Sequence, residues 1–330
     1  MKAAFITKTG TPEVIEYGEL PTPEPAKQQV LVRVKAVSVN PIDTYIRAGM
    51  IQMNIKFPYI IGCDLAGVVE EVGESVTKFK KGDRVWGTNQ GLFGRPGTFA
   101  EFAAVDEQWL YPIPDRVSDD DAAAIALVGI TAHLGLFRDA KLMPGESIFI
   151  NGGSGGVGSV VIQMARASGA RVFASAGNDK KIDLCKKLGA EAVFNYKTQD
   201  IVKEIKSILP NGVNIWWETS REPDFDKIVA ALSPRGRIVI MAGREARPVF
   251  PVGPFYVKDS KLYGFAMFNA TAQEQFVCAQ DINKWLIEGK LKPLIDRVLP
   301  LSQSAYAHKL QEENTLQKTG TLSGKIVLRP

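Results

Sequence analysis

Residues 146–159 read Glu146-Ser147-Ile148-Phe149-Ile150-Asn151-Gly152-Gly153-Ser154-Gly155-Gly156-Val157-Gly158-Ser159, and an apolar-rich run continues to Ala167. Ile148, Phe149 and Ile150 read as a buried strand. The strand meets a tight glycine turn and leaves it as a helix. Gly153, Gly155 and Gly158 fall on G-x-G-x-x-G. The first allows a backbone turn forbidden to residues with a Cβ, the second lets the main chain approach a pyrophosphate, and the third lets the helix lie close on the strand. Amides at the helix start and the positive end of its dipole then suit phosphate.

Context strengthens a motif that is weak alone. A second strand, 171–175, follows Gly169-Ala170 and completes a βαβ unit, which points to a dinucleotide. Ser159 stands where a Walker-type loop needs Gly-Lys-Ser/Thr, so that loop is disfavoured. The turn residues Gly153, Ser154, Gly155, Gly156 and Val157 are the candidate phosphate contacts.

Outward from this unit, strands at 148–151, 171–175, 192–196, 214–218, 237–243 and 262–265 alternate with helices at 157–168, 180–188, 200–209 and 224–232. Such alternation predicts an α/β fold with a doubly wound parallel sheet, the Rossmann arrangement. Two helices, 122–127 and 131–138, precede it. Residues 1–120 are β-rich: 30–39 alternates apolar with other residues, and 62–72 and 83–88 continue in that style around a charged turn at 73–82. Three prolines in 21–25 make a loop. After residue 270 come a helix at 272–288, a proline-bounded extended piece, a helix at 302–311 and a strand at 325–328. That last strand is expected to return to the N-terminal β-domain. The division is therefore 1–123 with 267–330, and 124–266.

The chain has 330 residues, 45% hydrophobic and 23% charged, with a net charge of +4. Two domains suit that length. A charge so dilute, with no basic block among aromatics, argues against nucleic acid. The N-terminus turns polar at once and no run approaches a membrane span, so neither a secretory signal nor a membrane is expected. Cys63, Cys185 and Cys278 are too few and too scattered for a disulfide framework and suit a reducing, cytoplasmic location.

Where a carboxylate would accept the ribose 2′-hydroxyl of NAD, this chain has Ser175-Ala176-Gly177-Asn178, with no acid before Asp179. Lys180 and Lys181 follow, and Tyr196 ends the next strand. The lysines could be a solvated helix start, but lysine there is mildly unfavourable. A hydroxyl, cations and a phenol without a carboxylate suit a 2′-phosphate, so NADPH. The candidate contacts are Ser175, Gly177, Asn178, Lys181 and Tyr196.

His133 and His308 are the only histidines, and no Cys or His pair has metal-ligand spacing, so no metal is expected. His133 reads as a packed helical residue and Cys63 as a small buried thiol. No hydrolase elbow appears, which leaves the chemistry to a cofactor oriented by the protein. One other polar cluster, Asn40-Pro41-Ile42-Asp43-Thr44-Tyr45-Ile46-Arg47-Ala48-Gly49, follows a strong strand. An ordinary capped helix, with Asn40 as N-cap and Pro41 at the first position, explains its start. It leaves Tyr45 and Arg47 either as surface residues or as functional ones.

With that cluster in view, the chain resembles the medium-chain dehydrogenase/reductase superfamily, and within it the zinc-free, zeta-crystallin-like quinone oxidoreductases. The matching stretches are 40–47, Gly82-Asp83-Arg84-Val85, Thr98-Phe99-Ala100-Glu101-Phe102, Gly129-Ile130-Thr131-Ala132, the glycine turn and Gly324-Lys325-Ile326-Val327-Leu328. In the zinc enzymes a cysteine ligand takes the place of Asn40, and Gly-His-Glu that of Gly62-Cys63-Asp64. The resemblance implies a GroES-like β-rich catalytic domain built from both chain ends, and an active site in the cleft between domains. It places Thr131 near the nicotinamide carboxamide and Lys181 and Tyr196 at the 2′-phosphate, and it adds Gly243 and Lys325 to the cofactor contacts. Two stretches depart from the pattern: Asn151-Gly152-Gly153-Ser154, where alanines are usual, and Glu218-Thr219-Ser220-Arg221, where Asp and Gly are usual. Arg221, Arg244 and Arg247 add cations that leave the substrate open. Ile51 replaces a tyrosine found in related enoyl-thioester reductases, which counts against that activity.

The expected activity is zinc-independent hydride transfer from NADPH to a small electron acceptor, a quinone or, alternatively, an enone or alkenal. Asn40 and Tyr45 would orient and polarise the acceptor carbonyl, and Tyr45 or water would supply a proton. Asp43 would hold the loop in shape. A rival from another class is an NADPH-binding protein with little catalysis. The resemblance also implies a homodimer through an edge strand of the cofactor domain, and 262–267 is apolar enough to be that strand.

Overall fold

Ile148, Phe149 and Ile150 have no solvent exposure in the computed structural model, which describes residues 1–317 and 319–330. Their strand, Ser147–Asn151, has a parallel partner on each side, Arg171–Ala176 and Val213–Glu218. A strand covered on both faces needs apolar side chains throughout, hence a run rather than an alternation. Phe149 packs its ring 4.3 Å from that of Trp216. Phe149→Ala would cost about 3–5 kcal/mol.

The parallel sheet runs Ala192–Asn195, Arg171–Ala176, Ser147–Asn151, Val213–Glu218, Leu232–Ile240, Lys261–Gly264. Helices Gly156–Ala167, Asp179–Lys187, Ile201–Ile208 and Phe225–Ala231 connect its strands, and Asn178, Asp200 and Asp224 cap the last three by accepting backbone N–H groups. This is the expected doubly wound arrangement. The two helices expected at 122–127 and 131–138 are one, Asp119–His133, running on into a wider turn at Leu134–Asp139. Nearly every side is buried, so there is no amphipathic stripe to mark its ends. Gly135 lets that turn press on Trp217, since a Cβ there would lie 2.3 Å from the indole.

The chain divides into Met1–Val128 with Thr271–Pro330, and Gly129–Ala270. The first division follows Val128, five residues beyond the expected 123/124, and both positions lie inside helix Asp119–His133. The second follows the short turn Met267–Asn269 rather than preceding it.

In the first unit a seven-stranded sheet is ordered Ile295–Pro300, Lys325–Arg329, Gln29–Ser38, Leu65–Val72, Arg84–Gly87, Leu110–Pro112, with Phe102–Asp106 also on Gln29–Ser38. Register shifts at Leu31/Val32 and Val34/Ala36 bend the long strand. A second sheet joins Ile15–Glu19, Lys2–Ile6 and Tyr59–Ile60. The last strand pairs antiparallel with the long one, Val327 opposite Ser38 and Leu328 opposite Val37. That pairing carries Lys325 to the end of the strand that leads into Asn40.

Candidate active site

In the second unit the positive φ of the glycine turn lies at Gly152 (+85°), one residue before the expected Gly153. Gly153 is instead required for packing, since a Cβ would meet Ala174 Cβ at 2.8 Å and Cys185 Sγ at 3.1 Å. Gly158 has the expected role: a Cβ would lie 2.2 Å from the Gly152 carbonyl. Gly155 is exposed, and a Cβ there would have only the Gly152 carbonyl nearby, at 3.5 Å. It begins helix Gly156–Ala167 with no side chain capping the first amides. Gly156 and Val157 are half-buried and Ser154 is buried. This open main-chain edge fits a pyrophosphate.

The ribose end is assembled more selectively than the sequence implies. The Tyr196 phenol lies over Gly177, whose added Cβ would be 2.5 Å from the hydroxyl, and the ring is half exposed. Lys181 is half-buried one turn into the helix capped by Asn178, whose Oδ1 accepts the Lys181 N–H at 3.0 Å. Asn178 is thus engaged as a cap. Ser175 is a correction to the expected 2′-phosphate contact. It is fully buried; its hydroxyl donates to Asn151 Oδ1 at 2.7 Å and accepts the Gly152 N–H at 3.0 Å. Gly243 (φ +88°) makes a turn whose Cβ would meet the Arg221 carbonyl at 2.8 Å, and Thr131 is buried in its helix.

In the first unit, helix Pro41–Arg47 follows the long strand. Asp43 Oδ2 accepts the Asn40 N–H at 2.7 Å, and the Asp43 N–H goes to the Asn40 carbonyl at 3.1 Å. Asn40 is thus the helix N-cap, as expected. It has no exposure, donates Nδ2 to Asp64 Oδ2 at 2.7 Å and to the Ser38 carbonyl at 3.3 Å, and accepts from Lys325 Nζ. With both donors spent inside the protein, Asn40 has none left for an acceptor carbonyl. Tyr45, half-buried on the same helix, is the more accessible of the pair. Arg47 is no surface residue. It is fully buried, with Nη1 donating to the Gly10 carbonyl at 2.6 Å and Nη2 paired with Glu312.

Lys325, expected at the cofactor, belongs to this cluster instead. Its ammonium donates to the Val39 carbonyl at 2.8 Å and to Asn40 Oδ1, and lies 3.8 Å from Asp64. Asp64 also accepts from Ser38 and Thr88, each at 2.7 Å, and from the Leu127 N–H at 3.2 Å. Burial pushes the Asp64 carboxyl up against the pull of these donors, and pushes the Lys325 ammonium down. Burial raises Asp43 from 3.8 to about 7, with the neighbouring Cys63 thiol pulling the other way and Asp64 adding to the rise; Asp43 Oδ1 has no hydrogen-bond partner. Burial also holds the Cys63 thiol well above its usual range. Ser38 and Thr88 carry no local signal, and Asp64 is marked in sequence only as the residue that stands where the zinc enzymes have the glutamate of Gly-His-Glu.

Residues 26–115 match the alcohol dehydrogenase GroES-like domain and residues 156–282 match the zinc-binding dehydrogenase domain. A quinone oxidoreductase of Sus scrofa is 34% identical, over 99% of this chain and 97% of that protein. The chain belongs to the quinone oxidoreductase family. It is a member of the medium-chain dehydrogenase/reductase superfamily and an oxidoreductase. The 2-methylene-furan-3-one reductase of Solanum lycopersicum is 31% identical over the whole chain and 79% of its own length. Among solved structures, an NAD-dependent alcohol dehydrogenase superposes with a TM-score of 0.90 at 31% identity, and the quinone oxidoreductase of Escherichia coli complexed with NADPH with 0.85 at 25%, each over the full length of both chains.

Zinc, which the second domain's description names, does not fit this chain's residues. Beside Asn40 stand the Asp43 and Asp64 carboxylates, but Lys325 places its ammonium on Asn40 Oδ1 and 3.8 Å from Asp64, and among the described residues no group of three or more His, Cys, Asp or Glu could hold a metal ion. The Lys325 ammonium supplies the positive charge in that cluster. The two departures from the family pattern explain one another. Asn151 and Glu218 lie opposite in adjacent strands, and Asn151 Nδ2 donates to Glu218 Oε1 at 2.8 Å.

Proposed function

We propose that this oxidoreductase reduces a quinone with NADPH and needs no metal. The observation that carries the cofactor choice is the ribose end of the turn, where a phenol over Gly177 and a lysine one helical turn away stand without a carboxylate. The Escherichia coli relative bound to NADPH supports the same choice, and the relatives named quinone oxidoreductase support the acceptor.

NADPH, when bound, supplies a hydride. The exposed amide edge at Gly155–Val157 would hold its pyrophosphate, and Lys181 and the Tyr196 phenol its 2′-phosphate. Two-electron reduction leaves an anionic oxygen that needs a donor and then a proton. Tyr45 is the group for both, since its phenol is half-buried rather than enclosed. Asn40 and Asp43 act through the helix that carries Tyr45, and Arg47 anchors that helix to Gly10 and Glu312.

Steady-state oxidation of NADPH and NADH against a quinone panel, with a chelator present, tests this. NADPH should be preferred, and Tyr45→Phe should lower kcat on the order of 10²-fold with NADPH affinity unchanged. Quinones left unreduced by NADPH, or full turnover in Tyr45→Phe, would defeat the proposal. A conjugated enone is the second reading, favoured by the 2-methylene-furan-3-one reductase relative. Parallel turnover on a quinone and an enone separates the two.

We further propose a homodimer through the edge strand Lys261–Gly264, near which Val249, Val252, Tyr256 and Val257 are strongly exposed. Cys63, Cys185 and Cys278 are buried and form no disulfide, which supports a cytoplasmic location. The one stretch of the described residues long and apolar enough to cross a membrane, Asp119–Asp139, is 83% buried within the protein.

A further inference from the structure

We propose that Asn151 is a positioning residue for the dinucleotide turn, and that its bond to Ser175 removes that serine from the choice between NADPH and NADH. The inference rests on the reading that a nicotinamide dinucleotide binds at this turn.

Three adjacent strand ends are tied by one chain of hydrogen bonds. Ser175, on the second strand of the βαβ unit, donates its hydroxyl to Asn151 Oδ1 at 2.7 Å. Asn151, on the central strand, donates Nδ2 to Glu218 Oε1 at 2.8 Å. Glu218 is buried, and its hydrogen-bond partners among the described residues are neutral donors. Its oxygens also take the Trp216 Nε1–H at 3.0 Å and the Ser220 N–H at 2.6 Å.

The chain ends on the phosphate turn itself. Gly152 has a left-handed φ of +85°, and Ser175 Oγ accepts its N–H at 3.0 Å. The Ser175 carbonyl takes the Gly153 N–H at 2.9 Å. Thr219 Oγ1 donates to the Asn151 carbonyl at 2.5 Å, and the same hydroxyl fills the space where a Cβ on Gly152 would go. An amide suits 151 because its Oδ1 accepts from a hydroxyl while its Nδ2 donates to a carboxylate. An alanine would leave the Ser175 hydroxyl to reorient and unfasten Gly152. An isosteric aspartate would set two carboxylates against each other.

This arrangement makes a prediction that a direct phosphate contact does not. A group touching the 2′-phosphate affects NADPH alone, whereas a brace beneath the pyrophosphate turn affects both nucleotides alike. Dissociation constants for NADPH and NADH should be measured by nucleotide fluorescence on native protein, Asn151→Ala, Asn151→Asp and Ser175→Ala, with thermal melting of the nucleotide-free proteins alongside. Asn151→Ala and Ser175→Ala should weaken both nucleotides roughly tenfold, the loss expected from one hydrogen bond that shapes the site, with the NADPH/NADH ratio unchanged. Asn151→Asp should be weaker than Asn151→Ala, and Lys181→Ala, as a control, should shift the ratio. Native affinity in both alanine variants, or a Ser175→Ala that loses NADPH alone, would overturn the inference. Should Asn151→Ala not fold, Ser175→Ala decides between the same outcomes. A native protein that binds neither nucleotide would instead defeat the cofactor reading.

Discussion

The cluster around Lys325 in the first unit and the brace around Asn151 in the second both bury carboxylates, and they satisfy them by different means. Asp64 is surrounded by two hydroxyls, an amide, a backbone N–H and a nearby ammonium. Glu218 is met by an amide, an indole and a backbone N–H, with no ammonium among its partners. The ionic cluster carries groups driven far from their usual titration, with Asp43 near 7 and Lys325 lowered. Charge neutralised by charge makes the first unit sensitive to pH and to loss of either partner. Charge shared among neutral donors makes the second a rigid, directional support.

The largest expected effect comes from removing the cation. Lys325→Met strips the ammonium from Asp64, Asn40 Oδ1 and the Val39 carbonyl, and should destabilise by about 3–5 kcal/mol in denaturant unfolding. Asn151→Ala deletes one of the three partners of Glu218 and should cost about 1–3 kcal/mol in the same measurement. An Asn151→Ala loss equal to that of Lys325→Met would erase the distinction between the two networks.

The smaller effects are pH slopes. Asp43 is raised from 3.8 to about 7, so the folded state holds its proton more tightly than the unfolded state. That stability is complete below the unfolded value and is lost as pH rises toward 7. Asp43→Asn should remove a slope of up to about 1.4 kcal/mol per pH unit between those limits. His308 acts in the opposite sense. Burial, with Arg47 nearby, lowers it from 6.5 to about 3, its ring lies edge-on to Phe99, and neither ring nitrogen has a partner. Its contribution is present above 6.5 and lost as pH falls, so His308→Leu should flatten the acid side of the profile. Unfolding curves from pH 4 to 7 would show both; slopes unchanged in the two variants would mean that neither group titrates with folding.

Local signals were legible where the backbone itself carries them. The 148–150 run announced a doubly covered strand, and the glycines announced a turn into a helix. The alternation beyond them implied the parallel sheet, and the return of the last strand to the N-terminal unit is seen in its pairing with Ser38 and Val37. The signal failed where a side chain's partner is remote. Asn40 is the N-cap that its position predicts, but nothing local shows that its side-chain oxygen also accepts from Lys325, 285 positions away. Arg47 is left open in sequence between surface and function, and it is neither exposed nor local in its pairing: Glu312, 265 positions on, holds it in the interior. Ser175 reads as a ribose contact, yet Asn151 occupies its hydroxyl.

Sequence alone determined the family, the two-part architecture and the place of the phosphate turn, because these depend on residue spacing and on backbone freedom that only glycine has. Tertiary structure decided which polar groups face a ligand and which are consumed within the protein. A hydrogen bond's donor and acceptor are chosen by proximity in space, and for Asn40, Ser175 and Lys325 the neighbours come from strands that meet only when the sheets form.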